Sequence, residues 1–163
     1  MSQDASLTSL GDLGEFGLIE HIRSQFELQQ ASSVLGIGDD AALLDFNEKQ
    51  CLLSTDMLVE GVHFDLSYTP LTHLGYKAAV VNISDIVAMG GTPTQLLFSL
   101  AVSNRFSKEA IDALIAGFRQ ACSFYEVDVA GGATTSSNRG LVLSVTAIGA
   151  VEQGKHITRS GAQ

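Results

Sequence analysis

Apolar positions in "GEFGLIEHIRSQF" recur every three to four residues. Phe16, Ile19, Ile22 and Phe26 fall on one face and predict a helix over 14–26. "SSVLGIGDDAALLDF" then sets glycines and paired aspartates between two apolar runs. "QCLLSTDMLVEGVHFDL" predicts a strand over 50–54 that leads into a polar turn. The segment 70–89 predicts a helix: Pro70 suits a first turn, and Gly90, Gly91 and Pro93 stop it. "TQLLFSLAV" reads as a short buried strand. Ser107 is placed to cap a helix whose core face is Ile111, Leu114, Ile115, Phe118, Cys122 and Tyr125. "VDVAGG" predicts a short strand that opens into the uncharged loop "GGATTSS", and 140–151 alternates as a strand half-buried on both faces.

The predicted order is helix, strand, helix, strand, helix, strand, strand. Such an order suits an α+β (or α/β) layer, a mixed β-sheet with helices on one face. The other face of that sheet needs a partner. Residues 1–13 are small and polar and read as a flexible N-terminal tail, leaving 14–163 as one domain.

Charge changes the picture more than length does. The formal net charge is −9 and the pI near 4.6, which argues against a nucleic-acid partner. A chain this acidic handles phosphate only through cations, either metal ions or a few placed Lys and Arg side chains. Neither Cys51 nor Cys122 belongs to a CxxC or Cys/His cluster, and both sit in apolar patterns, so both are expected to be buried hydrophobes. The start carries no secretory pattern and no apolar run approaches the ~20 residues of a membrane span, so a cytoplasmic location is expected, with no membrane partner.

Four carboxylates stand out by their neighbours. Asp39 and Asp40 follow "GIG", and neighbouring side chains of an extended stretch point opposite ways, so one of the two is expected to face a site. Ser54, Thr55 and Asp56 gather two hydroxyls and a carboxylate at a predicted strand end. Asp85 lies four, seven and eleven residues after Val81, Ala78 and Leu74, on a predicted apolar helix face. Taken alone, Asp85 reads more simply as a structural carboxylate satisfied by backbone or by Lys77. Taken with the others, an oxygen-only donor set suits Mg²⁺ rather than zinc, and Mg²⁺ held by carboxylates also touches substrate phosphates. His63 in "EGVHF" and Arg159 in "HITRSGAQ", taken singly, are ordinary surface residues. The chain has no GxxxxGK[ST] loop.

Six pieces, "GEFGLIEHI", "VLGIGDDAALL", "LLSTDMLVEGVHF", "LGYKAAVVNISDIVAMGGTP", "VAGGATT" and "ITRSGA", come in order over residues 14–162. Together they resemble the N-terminal domain of thiamine-monophosphate kinases, in the superfamily of aminoimidazole ribonucleotide synthetase. The resemblance implies transfer of the γ-phosphate of ATP to thiamine monophosphate, giving thiamine diphosphate, with Mg²⁺ as cofactor and no covalent protein intermediate. It implies a homodimer in which two sheets pair into a barrel. It carries metal ligation to Asp40, Ser54, Thr55, Asp56 and Asp85, thiamine phosphate binding to His63, and ATP binding to Gly131, Gly132 and Arg159. The family's loop reads Gly-Gly-Asp-Thr-Thr, and its aspartate position is Ala133 here, so one metal ligand is expected to be lost.

The family runs to about twice this length, and its C-terminal domain adds further ligands, so this segment alone is expected to be inactive. Ala133 and the missing half also suit a non-catalytic dimerisation module. Asp40, Asp56 and Asp85 argue against that reading. A sister enzyme of the superfamily acting on another anionic acceptor is a third possibility.

Overall fold

The computed structural model describes residues 10–35, 37, 43–44 and 46–158. Helix α1, Leu10–Arg23, is kinked at Gly14, whose φ of 66° and ψ of 179° break the helical run. The helical stretch thus begins before the expected boundary at 13/14, and the break itself falls on that boundary. Leu18 and Ile22 of α1 are buried, and the helix ends before Phe26.

Two short strands, β1 (Ser33–Leu35) and β2 (Leu43–Leu44), pair antiparallel and flank the "GIGDD" stretch. Strand β3, Gln50–Val59, runs five residues beyond the expected end at Ser54. Helix α2, Leu71–Ala88, follows Pro70, and strand β4 spans Thr92–Val102. Helix α3, Lys108–Tyr125, is capped as expected by Ser107, whose hydroxyl accepts the Ala110 N–H. Strand β5 covers Asp128–Ser136 and strand β6 Leu141–Val151. The expected loop "GGATTSS" is therefore mostly strand.

These strands form a four-stranded mixed sheet in the order β3-β6-β4-β5. β6 is antiparallel to β3 and β4, while β5 joins β4 in parallel as one edge. The alternation along β6 explains the layering: Leu141, Leu143, Val145 and Ala147 are buried, and the residues between them are half-buried. The buried set meets α2 and α3 in one core with Leu96, Phe98 and Leu100 of β4. Phe98 and Phe118 stack across the sheet–helix boundary with centroids 4.7 Å apart. The two helices approach backbone to backbone. A Cβ on Gly75 would stand 1.9 Å from Leu114 O, and one on Gly117 would stand 1.8 Å from Thr72 O.

On the sheet's other face Leu53 is 70% exposed and Met57 56%. That face is open along β3 and covered farther in, where Ile148 and Gln95 are buried and Gln95 bonds to Ser32 and Ser33. Among the described residues no helix is long and apolar enough to cross a membrane.

Candidate functional site

The length of β3 rearranges the expected "STD" cluster. Leu52, Ser54, Asp56 and Leu58 alternate with Cys51, Leu53, Thr55 and Met57, and Leu58 is buried toward the helices. Ser54 and Asp56 therefore share the helix side. Thr55 turns to the other face, where its hydroxyl donates to Val145 O at 3.1 Å and accepts from Thr146 Oγ1 at 3.0 Å. The triplet is mid-strand, so consecutive side chains diverge where a turn would have let them converge.

Asp85 was expected on the apolar face of α2. It is exposed instead. Leu74 and Ala78 are buried as expected, in a stripe with Gly75, Ala79, Asn82, Ile83 and Ile86, and Asp85 borders it on the side of β3. There Ser54 Oγ donates to Asp85 Oδ2 at 2.5 Å. Lys77 does not pair with Asp85. Its Nζ donates to His63 O at 3.2 Å, farther along α2.

The edge formed by β3 and α2 thus carries two exposed carboxylates, Asp56 and Asp85, with a hydroxyl beside them. All the donors are oxygen, and their exposure leaves room for water, which fits Mg²⁺. No three His, Cys, Asp or Glu side chains among the described residues form a metal-holding group. Asp39, Asp40 and Arg159 lie outside the described residues.

His63 sits at the far end of the same edge, in a turn that fixes it. Its N–H donates to Val59 O at 2.9 Å, and the Val59 N–H returns to His63 Nδ1 at 3.0 Å. Nδ1 is an acceptor, so the ring proton belongs on Nε2, and the side chain is exposed. Phe64, 6% exposed, anchors the turn to the core.

Gly131, Gly132 and Ala133 lie in β5, at the opposite edge of the sheet, paired with Leu97, Phe98 and Ser99. A Cβ on Gly132 would stand 1.8 Å from Phe98 O, so close strand packing alone demands glycine there. Ala133 is exposed. Asp56 and Gly132 share one row across four strands, roughly 14 Å apart at ~4.8 Å per strand. One chain does not bring the two groups together.

Residues 38–151 match the model of the AIR synthase related protein N-terminal domain. The chain belongs to this family. It is 42% identical over 149 residues to the thiamine-monophosphate kinase of Bacillus subtilis, covering 91% of this chain and 46% of that relative. The crystal structure of thiamine-monophosphate kinase from Stenotrophomonas maltophilia K279a is 37% identical with a TM-score of 0.76, over 90% of this chain and 45% of that one. The structure of AaThiL complexed with AMPPCP and TMP is 38% identical with a TM-score of 0.66, over 94% and 47%. The chain spans about half the length of the curated relatives it matches.

Three residues of this AIR synthase related domain escaped the reading of its sequence. Asn82 accepts the Asp56 N–H through Oδ1 at 3.0 Å. Glu60 accepts the Leu141 N–H at 2.9 Å and pairs with Arg105, which ties the His63 turn to β6. Asp128 is 1% exposed and is satisfied without a cation. It accepts the Gln29 and Gln30 N–H groups and the Ser33 hydroxyl, while Gln95 Nε2 donates to Ser32 and Ser33 Oγ at 2.7 and 2.8 Å. That network anchors the segment entering β1. Its signal in the sequence was an aspartate between Val127 and Val129 at the head of a strand. The cysteines divide: Cys122 is buried, and burial pushes its thiol up to about 12, whereas Cys51 is exposed on edge strand β3, contrary to expectation.

Proposed function

We propose that this chain is the nucleotide- and metal-binding half of an ATP-dependent thiamine-monophosphate kinase. A terminal phosphate oxygen of thiamine monophosphate attacks the γ-phosphorus of ATP. The bond from that phosphorus to the β,γ-bridging oxygen breaks, and ADP leaves with the electron pair. The observation that carries the reading is the acidic β3–α2 edge, where Ser54, two residues before Asp56 on the same strand face, donates to Asp85, in a chain 42% identical to a kinase of that name. AMPPCP, an ATP analogue, shares a related protein with TMP, which supports ATP as co-substrate.

Asp56 and Asp85, with Ser54 and with Asp40, would hold Mg²⁺, which when bound neutralises charge between donor and acceptor phosphates. Thr55 takes no part through its hydroxyl. His63 offers Nε2–H to the acceptor phosphate. Gly131, Gly132 and Arg159 contact the nucleotide. No side-chain base is required, because the attacking oxygen already carries its charge. Positioning supplies the rest.

The working unit is a homodimer in the cytoplasm. The exposed part of the sheet face along β3, with Leu53 and Met57, is the apolar surface a second copy would cover. Closing two sheets into a barrel sets β5 of one copy beside β3 of the other, which would close the gap between Gly132 and Asp56.

Ala133 favours a second reading, a dimerisation module without catalysis. One experiment separates the two. This chain replaces the matching half of the Bacillus subtilis relative, and thiamine diphosphate formed from ATP and thiamine monophosphate is measured by chromatography. Ala133→Asp is expected to raise the yield about a hundredfold, and adding Asp56→Asn to abolish it. No product even with Ala133→Asp contradicts the kinase reading.

A further inference from the structure

Strand β3 and helix α2, which carry Asp56 and Asp85, are tied together by a side chain with no role in the reading above. Asn82 lies on α2 three residues before Asp85 and is 1% exposed. Its Oδ1 accepts the Asp56 N–H at 3.0 Å, and its Nδ2 donates to Ala78 O at 3.0 Å. Within the chain β3 is an edge strand, so an outward N–H has no strand of its own chain to receive it. The Asn82 carboxamide takes that place. An amide on a buried helix face is costly, and a leucine, with the same branching and as many side-chain heavy atoms, has a better helix propensity. The polar group is explained by what it grips.

The grip has a second half. Two residues before Asp56, Ser54 donates to Asp85 at 2.5 Å. Strand and helix are therefore joined twice, once through the backbone of one carboxylate residue and once through the side chain of the other. The bond to Ala78 O fixes the Asn82 side chain, so the Asp56 backbone is held against a rigid post.

The geometry points to Asn82 as a positioning residue that sets the spacing of Asp56 and Asp85, and with it the affinity of this edge for a small divalent cation. The inference rests on the proposed cation role of those carboxylates. Mg²⁺-sized ions demand near-ideal octahedral geometry, and loss of a partner that orients a ligand weakens metal binding about 10- to 100-fold.

Two measurements on the chain test it. Amide hydrogen exchange by NMR reads the clamp itself. The Asp56 amide is protected in the parent, and Asn82→Ala or the milder Asn82→Ser speeds its exchange about tenfold or more. Mn²⁺ titration followed by electron paramagnetic resonance reads the consequence. Both Asn82 variants raise the Mn²⁺ dissociation constant about tenfold. Ile83→Val, at a buried neighbour on the same helix, lowers the melting temperature without moving that constant. An Asp56 amide that exchanges freely in the parent overturns the inference even if no variant folds. Equal weakening by Ile83→Val overturns it too, because the effect is then general loosening. If Asp56→Asn and Asp85→Asn leave Mn²⁺ binding unchanged, the cation reading itself fails, and the cation half of this inference falls with it. The Asp56 amide still judges the clamp.

Discussion

Asp56 and Gly132 stand in the same row of the sheet on its two opposite edges, joined through Val145 and Phe98. The acidic edge and the glycine strand are therefore far apart within a chain, and Leu53 and Met57 stand exposed on the sheet face away from the helices. The proposed second copy would account for both facts. The parent chain is expected to be a dimer at micromolar concentration by light scattering, and Leu53→Asp to make it monomeric. A monomeric parent contradicts the account.

Gly131 and Gly132 respond differently to a methyl group. A Cβ on Gly131 meets only Leu97 Cδ2 at 3.4 Å, while one on Gly132 meets Phe98 O at 1.8 Å. Gly131→Ala should be near neutral, within about 0.5 kcal/mol, and Gly132→Ala should cost about 3 kcal/mol. Chemical denaturation of the two variants measures the difference. Equal stabilities would show that β5 does not lie this close to β4.

Much of this was legible in the sequence, and the failures share a cause. Start and stop signals around 70–89 found α2, and periodicity over 107–125 found α3, because a long amphipathic helix repeats its signal. Periodicity misjudged β3 and β5, because "STDMLV" and "GGATTS" lack the apolar alternation of a strand buried on one face. Both are edge strands, exposed along much of their length, so burial imposes no pattern there. Ser54 and Asp85 were named separately, but their contact is tertiary and no spacing announces it. Asn82 hid inside the apolar run "AAVVNISDIVA", where one amide among buried residues looks like noise until Asp56 is seen opposite.

Titration of Asp112 offers a stability test. Burial works to raise its carboxyl, but hydrogen bonds from Lys108 and His21, each 2.7 Å long, outweigh it and hold the pKa below the ordinary carboxylate value. A carboxyl lowered by folding stabilises above its unfolded pKa of about 3.9, and the contribution is lost as pH falls through the lower folded value. Asp112→Asn should therefore lower the melting temperature at neutral pH, with the gap to the parent closing in acid. A gap independent of pH contradicts the assignment.

The two thiols should react unequally. Cys51 is exposed and Cys122 is buried, its thiol pushed up to about 12. A disulfide reagent at pH 8 is expected to modify Cys51 in the folded chain and Cys122 only after denaturation. Rapid modification of both in the folded protein would contradict the packing of α3.

In the proposed function, the acidic edge of β3 and α2 binds nucleotide phosphate through a divalent cation. Calorimetric titration of the chain with AMPPCP, in Mg²⁺ and again in excess chelator, tests it most directly. The account predicts binding that requires Mg²⁺ and is weakened about tenfold or more by Asp56→Asn or Asp85→Asn. Equal affinity with and without the metal contradicts it.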